Sequence, residues 1–274
     1  MRSAIMMLFD RMMEYLNGDN IAETLSRGLQ DYMADAYRVA GIIQQTIIAP
    51  VAFSILAIFI LFEFQKISLK VENAGGAPTL GFEMIMKAFV KFIICYIVIL
   101  RIQVILDAIV ALGAMLAGQI MALNRDDFLS SYRNVVNSAV SNLSWWEVMV
   151  VLMIFVVLFL VSLVVGVFIN VIVYIRFFEL YIFSAIAPIS MAALPHQEFS
   201  SMAKGFFKNF AASSLHAVMI ALVLTIYPLI FVNFLNSHRS GMWSLIFGLT
   251  IYMIALMFAI NKTKGWAKMI VSAS

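Results

Sequence analysis

The chain has 274 residues, 64% of them hydrophobic and 12% charged, against about 45–50% apolar and about 25% charged in an ordinary soluble domain. That composition excludes a soluble globular fold. A net charge of +3 without a basic block excludes sequence-specific nucleic-acid binding, which needs a concentrated basic surface, and the single cysteine, Cys95, excludes an intrachain disulfide and a cysteine-rich metal site.

Residues 1–38 hold six acids and four bases. The apolar run at 4–9 is cut by Asp10 and Arg11, with no small-residue cleavage site after it, so it does not read as a removable signal. Ile5, Leu8, Phe9, Met12 and Leu16 recur at helical spacing and predict an amphipathic helix. Asn17-Gly18-Asp19-Asn20 breaks it, Asn20 with Glu23 has the capping-box spacing, and Ile21, Leu25, Gly28, Tyr32 and Ala36 predict a second helix. The pair is expected on the membrane surface, against a partner, or packed on the transmembrane domain assigned to 39–274.

Charge-free runs locate the spans, because about 20 apolar residues cross the hydrocarbon core. The first is 39–62, with Pro50 as a kink, and a loop at 63–81 follows, with the turn signal Gly75-Gly76-Ala77-Pro78. The second apolar stretch, 84–123, contains Arg101 and Asp107 and exceeds one span, so it is tilted, projecting or broken. Gly113 with Ala117, and Ala114 with Gly118, form two overlapping small-xxx-small patterns that allow another helix to approach closely. Residues 124–147 are polar; Ser144 with Glu147 marks a helix start beside Trp145-Trp146, which suit a membrane interface. Span three is 148–175. The next apolar piece, 180–194, has only 15 residues, about 22 Å as a helix, contains Ala187-Pro188 and ends at Pro195, so a broken or re-entrant segment is expected there. The last two spans are 209–238 and 240–261, followed by Lys262, Lys264 and Lys268. The fold class is therefore all-α and polytopic, with about five full spans.

Lys and Arg accumulate in cytoplasmic loops. With the amino terminus outside, the inside loops hold Lys66, Lys70, Lys87, Lys91, Arg176, Lys204, Lys208, Lys262, Lys264 and Lys268, while the outside loops hold Arg125, Arg133 and Arg239, and four more bases lie in the acidic amino-terminal segment. Making 180–194 a full span spoils this bias.

Catalytic patterns are scarce. His196, His216 and His238 are far apart, and no HExxH, GxSxG, CxxC or P-loop occurs, so no enzyme activity, cofactor or metal is expected. Asn142-Leu143-Ser144 is a sequon of the kind chance supplies. Arg101, Asp107, Arg176 and Glu179 are ionisable residues at or near membrane depth, where each costs a few kcal/mol unless paired or hydrated. Arg176 and Glu179, three apart on one helix face, have ion-pair spacing. Glu83, Lys87 and Lys91 share a face at spacing four, as do Lys204 and Lys208; they read as positive-inside anchors or as contacts for acidic partners or nucleoprotein cargo.

One stretch carries a family resemblance. It begins Tyr174-Ile175-Arg176-Phe177-Phe178-Glu179, continues through Ser184-Ala185-Ile186-Ala187-Pro188-Ile189-Ser190-Met191, and resumes at Ser200-Ser201-Met202-Ala203-Lys204-Gly205-Phe206-Phe207-Lys208. This resembles the core of TrbL-like polytopic subunits of type IV secretion systems, in particular the short Gram-positive conjugative-element branch. The resemblance reaches across residues 42–232, and its specific part is 174–210. It implies a membrane channel or scaffold component of a conjugation machine that moves DNA or nucleoprotein across the cell membrane. It also implies assembly as a homo-oligomer with other machine subunits and an outside amino terminus, in agreement with the charge count. Two other classes stay open: a secondary transporter, in which Pro188 marks a broken helix, and a membrane scaffold without a pore. Under the conjugation reading, the break at Ala187-Pro188 is the working part and faces the oligomer axis or a neighbouring subunit.

Overall fold

The computed structural model describes residues 1–17, 19–73, 78–123, 125–141, 143–196, 198–237 and 241–272. Gly18, the Gly75-Gly76-Ala77 turn, Asn142 of the sequon, His238 and Arg239 lie outside the described residues. Among the described residues every regular element is helical. They are α1 (Arg2–Asn17), α2 (Asp19–Ser26), α3 (Leu29–Tyr32), α4 (Ala34–Ile42), a π-helical turn (Ile43–Ile48), α5 (Ala49–Asn73), α6 (Pro78–Met121), α7 (Arg125–Ser141), α8 (Trp145–Ala192), α9 (Ser200–Ser237) and α10 (Gly241–Ser272).

Among the described residues five stretches are long and apolar enough to cross a membrane: Ala34–Asn73, Gly81–Met121, Trp145–Ala192, Ser200–Phe231 and Gly241–Ser272. A helix satisfies its backbone internally, which hydrocarbon demands. The chain is a multi-pass, all-α membrane protein. Its helices outrun the apolar segments that specify them. The loop expected at 63–81 is helical as far as Asn73 and again from Pro78, and the lysine-bearing tail belongs to α10. Hydropathy marks where a helix is solvated by lipid, whereas helix propagation continues through Glu, Lys and Leu, which are good helix formers in water.

One expectation near the amino terminus changes. The predicted second helix is divided into α2, α3 and α4, because Gly28 is extended (ψ 175°) and Met33 leaves the helical region (φ −149°, ψ 86°). Tertiary contacts hold this broken path: Tyr181 Oη donates to the Leu29 carbonyl at 2.7 Å, and Tyr32 stacks on Phe177 with ring centroids 3.8 Å apart. Within the polar region 124–147, Arg125–Ser141 forms α7. The helix start at Ser144 is as expected, with the Ser144 N–H donating to Glu147 Oε2 at 2.8 Å in the first turn of α8.

The expected break at 180–194 is absent. Helix α8 runs without interruption from Trp145 to Ala192 with Pro188 inside it, and the direction changes only in the turns that follow, where Pro195 is buried. At 48 residues, α8 is about 72 Å long, so 180–194 is the last part of a long helix rather than a short separate one.

The chain forms two compact units, described separately. Unit one contains Met1–Arg27, Leu112–Arg176 and Ser214–Ile270. There α1 buries Ile5, Phe9, Met12, Met13 and Leu16, each worth about 1.5–3 kcal/mol when removed from water. It crosses α8 at Gly166, where a Cβ would lie 3.1 Å from the Tyr15 carbonyl oxygen. Asp10 on α1 accepts two hydrogen bonds from Arg133 on α7, both 2.8 Å. Helix α10 presents Leu245, Leu249, Tyr252, Leu256, Ile260, Thr263 and Ala267 as one buried stripe at helical spacing, and Tyr252 packs on Tyr227 and Phe231 of α9. Unit two contains Gly28–Ala111 and Phe177–Ser213, and it holds the candidate site.

Candidate functional site

The site starts from a defect. Pro188 has no backbone N–H, so the carbonyl four residues earlier, that of Ser184, loses its helical partner. Inside an apolar bundle an unmet carbonyl is costly. Gln44 supplies the missing donor: its side chain, only 2% exposed, gives Nε2–H to the Ser184 oxygen at 2.7 Å. Gln44 itself sits in the π-helical turn Ile43–Ile48, and the Ala49 N–H donates five residues back to the Gln44 carbonyl. The wider turn comes just before Pro50, whose ring would crowd a regular α-turn at the carbonyl four residues back. Two helices with proline-linked irregularities thus meet through one side chain.

From Ser184 the polar contacts continue across α6. Ser184 Oγ donates to Gln103 Oε1 at 2.7 Å, and Gln103 Nε2 donates to Asp107 Oδ1 at 3.2 Å, one helical turn along. Tyr37 of α4 donates its hydroxyl to Asp107 Oδ2 at 2.6 Å. Gln44, Ser184, Gln103, Asp107 and Tyr37 form a hydrogen-bonded chain across three apolar segments. Below it, Cys95 Sγ of α6 donates to the Met191 carbonyl near the end of α8 at 3.1 Å, and the Leu194 N–H shares that oxygen at 3.0 Å.

The turn after α8 is fixed by rings and one ion pair. His196 is buried beside Phe59 and Phe199, with ring centroids 5.3 and 5.2 Å away. Lys66 Nζ lies 2.6 Å from Glu198 Oε1, and this ammonium group holds the Glu198 carboxyl below its ordinary range.

The sequence-predicted residues distribute unevenly over these features. Asp107 ends the polar chain, Pro188 creates the vacancy that Gln44 fills, and Ala187 beside it is fully buried. Arg101, Lys204 and Lys208 are exposed on the chain, and Glu179 is half-buried with Ser213 Oγ 3.5 Å from its Oε2. Arg176 is buried in unit one within electrostatic reach of His216, whose Nε2 is 2.9 Å from Thr263 Oγ1. In the same unit Gly113 meets α9 directly: a Cβ there would stand 2.4 Å from Ser214 Oγ and 2.9 Å from its carbonyl oxygen. Ala114 and Ala117 are buried on the same helix, and a Cβ on Gly118 would come within 3.2 Å of Ser26 Cβ.

Sequence reasoning missed Tyr37, Gln44, Gln103 and Ser184. A search for Asp, Glu, Lys and Arg passes over neutral polar residues. The available signal was two glutamines in each of the first two apolar stretches, with Gln103 four residues before Asp107. The arrangement has no nucleophile–base pair, and among the described residues no group of three or more His, Cys, Asp or Glu could hold a metal ion. Its chemistry is a directed set of hydrogen bonds converging on one carboxylate.

Comparison with known proteins adds the family. No curated protein and no solved structure matches the chain. A family model described as TrbL/VirB6 plasmid conjugal transfer like protein matches residues 17–188, from the end of α1 to Pro188. The match covers Tyr174–Pro188 of the motif noted in the sequence and stops short of Ser200–Phe210, while taking in every member of the polar chain. With well over half of its length matched and, among the described residues, five helices long and apolar enough to cross a membrane, the chain belongs to the TrbL/VirB6-like conjugal transfer family and is a multi-pass membrane component of that machinery.

Proposed function

We propose that this protein is a channel or scaffold subunit of a type IV secretion machine and helps move DNA or nucleoprotein across the cytoplasmic membrane. The family match over residues 17–188 is the observation that carries this reading. Self-association and contact with other machine subunits follow from it. The amino terminus lies outside and the carboxyl terminus in the cytoplasm, a reading supported by the odd number of candidate spans and by the ten Lys and Arg in the proposed inside segments. Exposed Lys204 and Lys208 are the groups offered to acidic partners or cargo. Deleting the gene from a conjugative element should abolish transfer without slowing growth, and the intact gene in trans should restore it; normal transfer by the deletion strain would overturn the reading.

A secondary transporter is the second reading, favoured by the meeting of a π-turn and a proline-bearing helix in unit two. Solute uptake by proteoliposomes holding only this chain would support it. Loss of DNA transfer without any such uptake would favour the conjugation subunit.

A further inference from the structure

The polar chain has a direction. Ser184 donates to Gln103, Gln103 donates to Asp107, and Tyr37 donates to the other oxygen of the same carboxylate. Each Asp107 oxygen has a donor group within hydrogen-bond distance, an arrangement that satisfies an ionised carboxylate in full; a carboxylic acid would have one O–H to give. A glutamine amide has a donor at one corner and an acceptor at the other, so the end of Gln103 that meets Asp107 determines the end that meets Ser184.

We propose that Asp107 is a proton-binding site within the membrane and that Gln103 and Ser184 transmit its state to the Pro188 end of α8. On uptake, a hydronium ion from the water phase gives one proton to Oδ1, its own O–H bond breaking as it departs as water, and the carboxylate loses its single negative charge. The Gln103 amide turns over, so that the new O–H donates to Oε1 and Nε2–H donates to Ser184 Oγ. The Ser184 hydroxyl proton rotates away from α6 and donates to the Leu180 carbonyl one turn back, a common arrangement for serine in a helix. No other bond forms or breaks, and release reverses each step. The consequence falls on the residue whose own carbonyl depends on Gln44, so the relay ends at the least self-sufficient turn of α8.

The surroundings leave a proton as the available counter-charge. On α4, Tyr37 touches Asp107, whereas Asp35 and Arg38 pair with each other 3.3 Å apart and exposed. On α6, Arg101 is exposed. From α8, Tyr181 is engaged with the Leu29 and Met33 carbonyls, and Ser184 reaches the carboxylate through Gln103. Among the described residues no cation lies within ion-pair distance of Asp107, so charge neutralisation there requires a proton. Tyr37 stands three residues from the start of α4, half-buried, and is the member of the chain nearest a helix end.

Two measurements on the full-length protein in lipid nanodiscs test this. Infrared difference spectra between basic and acidic buffer should contain a carboxylic-acid C=O band that is missing in Asp107→Asn. The second readout is Cys95, the chain's single cysteine, held against the Met191 carbonyl at the end of α8. Its alkylation by a membrane-permeant maleimide is compared with that of Asp107→Asn at each pH, which cancels the thiol's own pH dependence. The ratio of the two rates should change by roughly tenfold from basic to acidic buffer, about the effect of one hydrogen bond gained or lost. Ser184→Ala should keep the infrared band and flatten that ratio. An identical set of C=O bands in wild type and Asp107→Asn, or a ratio independent of pH in the wild type, overturns the proposal. If Asp107→Asn fails to insert, Gln103→Leu cuts the relay and leaves the carboxylate; a Cys95 rate with wild-type pH dependence in that variant overturns it equally.

Discussion

Gln44 Nε2 donates to the Ser184 carbonyl at 2.7 Å, in the place where the backbone of Pro188 has no hydrogen to give. One side chain 140 positions away in sequence repairs a gap that proline opens in α8. This yields a double-mutant prediction. Gln44→Leu leaves a buried carbonyl unmet and should destabilise the protein by about 1–3 kcal/mol. Pro188→Ala restores the helical N–H, so the Gln44→Leu change should cost much less in that background. Unfolding in detergent, followed by circular dichroism, measures both; equal losses in the two backgrounds would separate Gln44 from the proline. Because α8 is already continuous, replacing Pro188 is not expected to join two helices.

The second prediction concerns close packing in unit one. A methyl group at Gly113 meets the Ser214 backbone, where a carbonyl oxygen cannot move aside as a side chain would. Gly113→Ala should therefore cost about 1–3 kcal/mol, in the range of overpacked cores. Gly118→Ala, facing only Ser26 Cβ at 3.2 Å, should cost less. Thermal aggregation midpoints of the two variants provide the comparison, and equal midpoints would contradict the geometry.

The Lys66–Glu198 pair predicts an acid dependence. The carboxyl is held below its ordinary value of 4.5 in the folded protein. Its contribution is thus complete above that value and disappears as the pH falls through the lower, folded one. Both side chains are substantially exposed, so the effect is local and weakened by salt. Proteolysis of the turn between α8 and α9 should rise in acid, and Glu198→Gln should show the acid level at neutral pH. Identical acid profiles for the two proteins would show that the pair holds nothing.

Topology gives the fourth prediction. With Cys95 replaced by serine, which keeps a donor for the Met191 carbonyl, single cysteines at Ser68 and Ser272 should be shielded from an impermeant thiol reagent in intact cells, and one at Ser130 should be labelled. Labelling at Ser272 from outside would reverse the proposed orientation.

Composition and charge-free runs by themselves determined that this chain is an all-α membrane protein, with five helices among the described residues long and apolar enough to cross a membrane, because lipid admits few solutions for an apolar backbone. Local pairs were legible too: the amphipathic stripe of α1 and the Ser144–Glu147 start of α8 depend on residues three or four apart. The tertiary structure decided what happens at Pro188 and Asp107. A proline in an apolar run looks like a break until a distant donor is known, and Gln44 carries no mark in sequence that aims it at Ser184. The same holds for Tyr37, which reaches Asp107 across 70 positions. Hydrogen-bond partners this far apart are brought together by helix packing alone, and periodicity along a single helix says nothing about which neighbour it will meet.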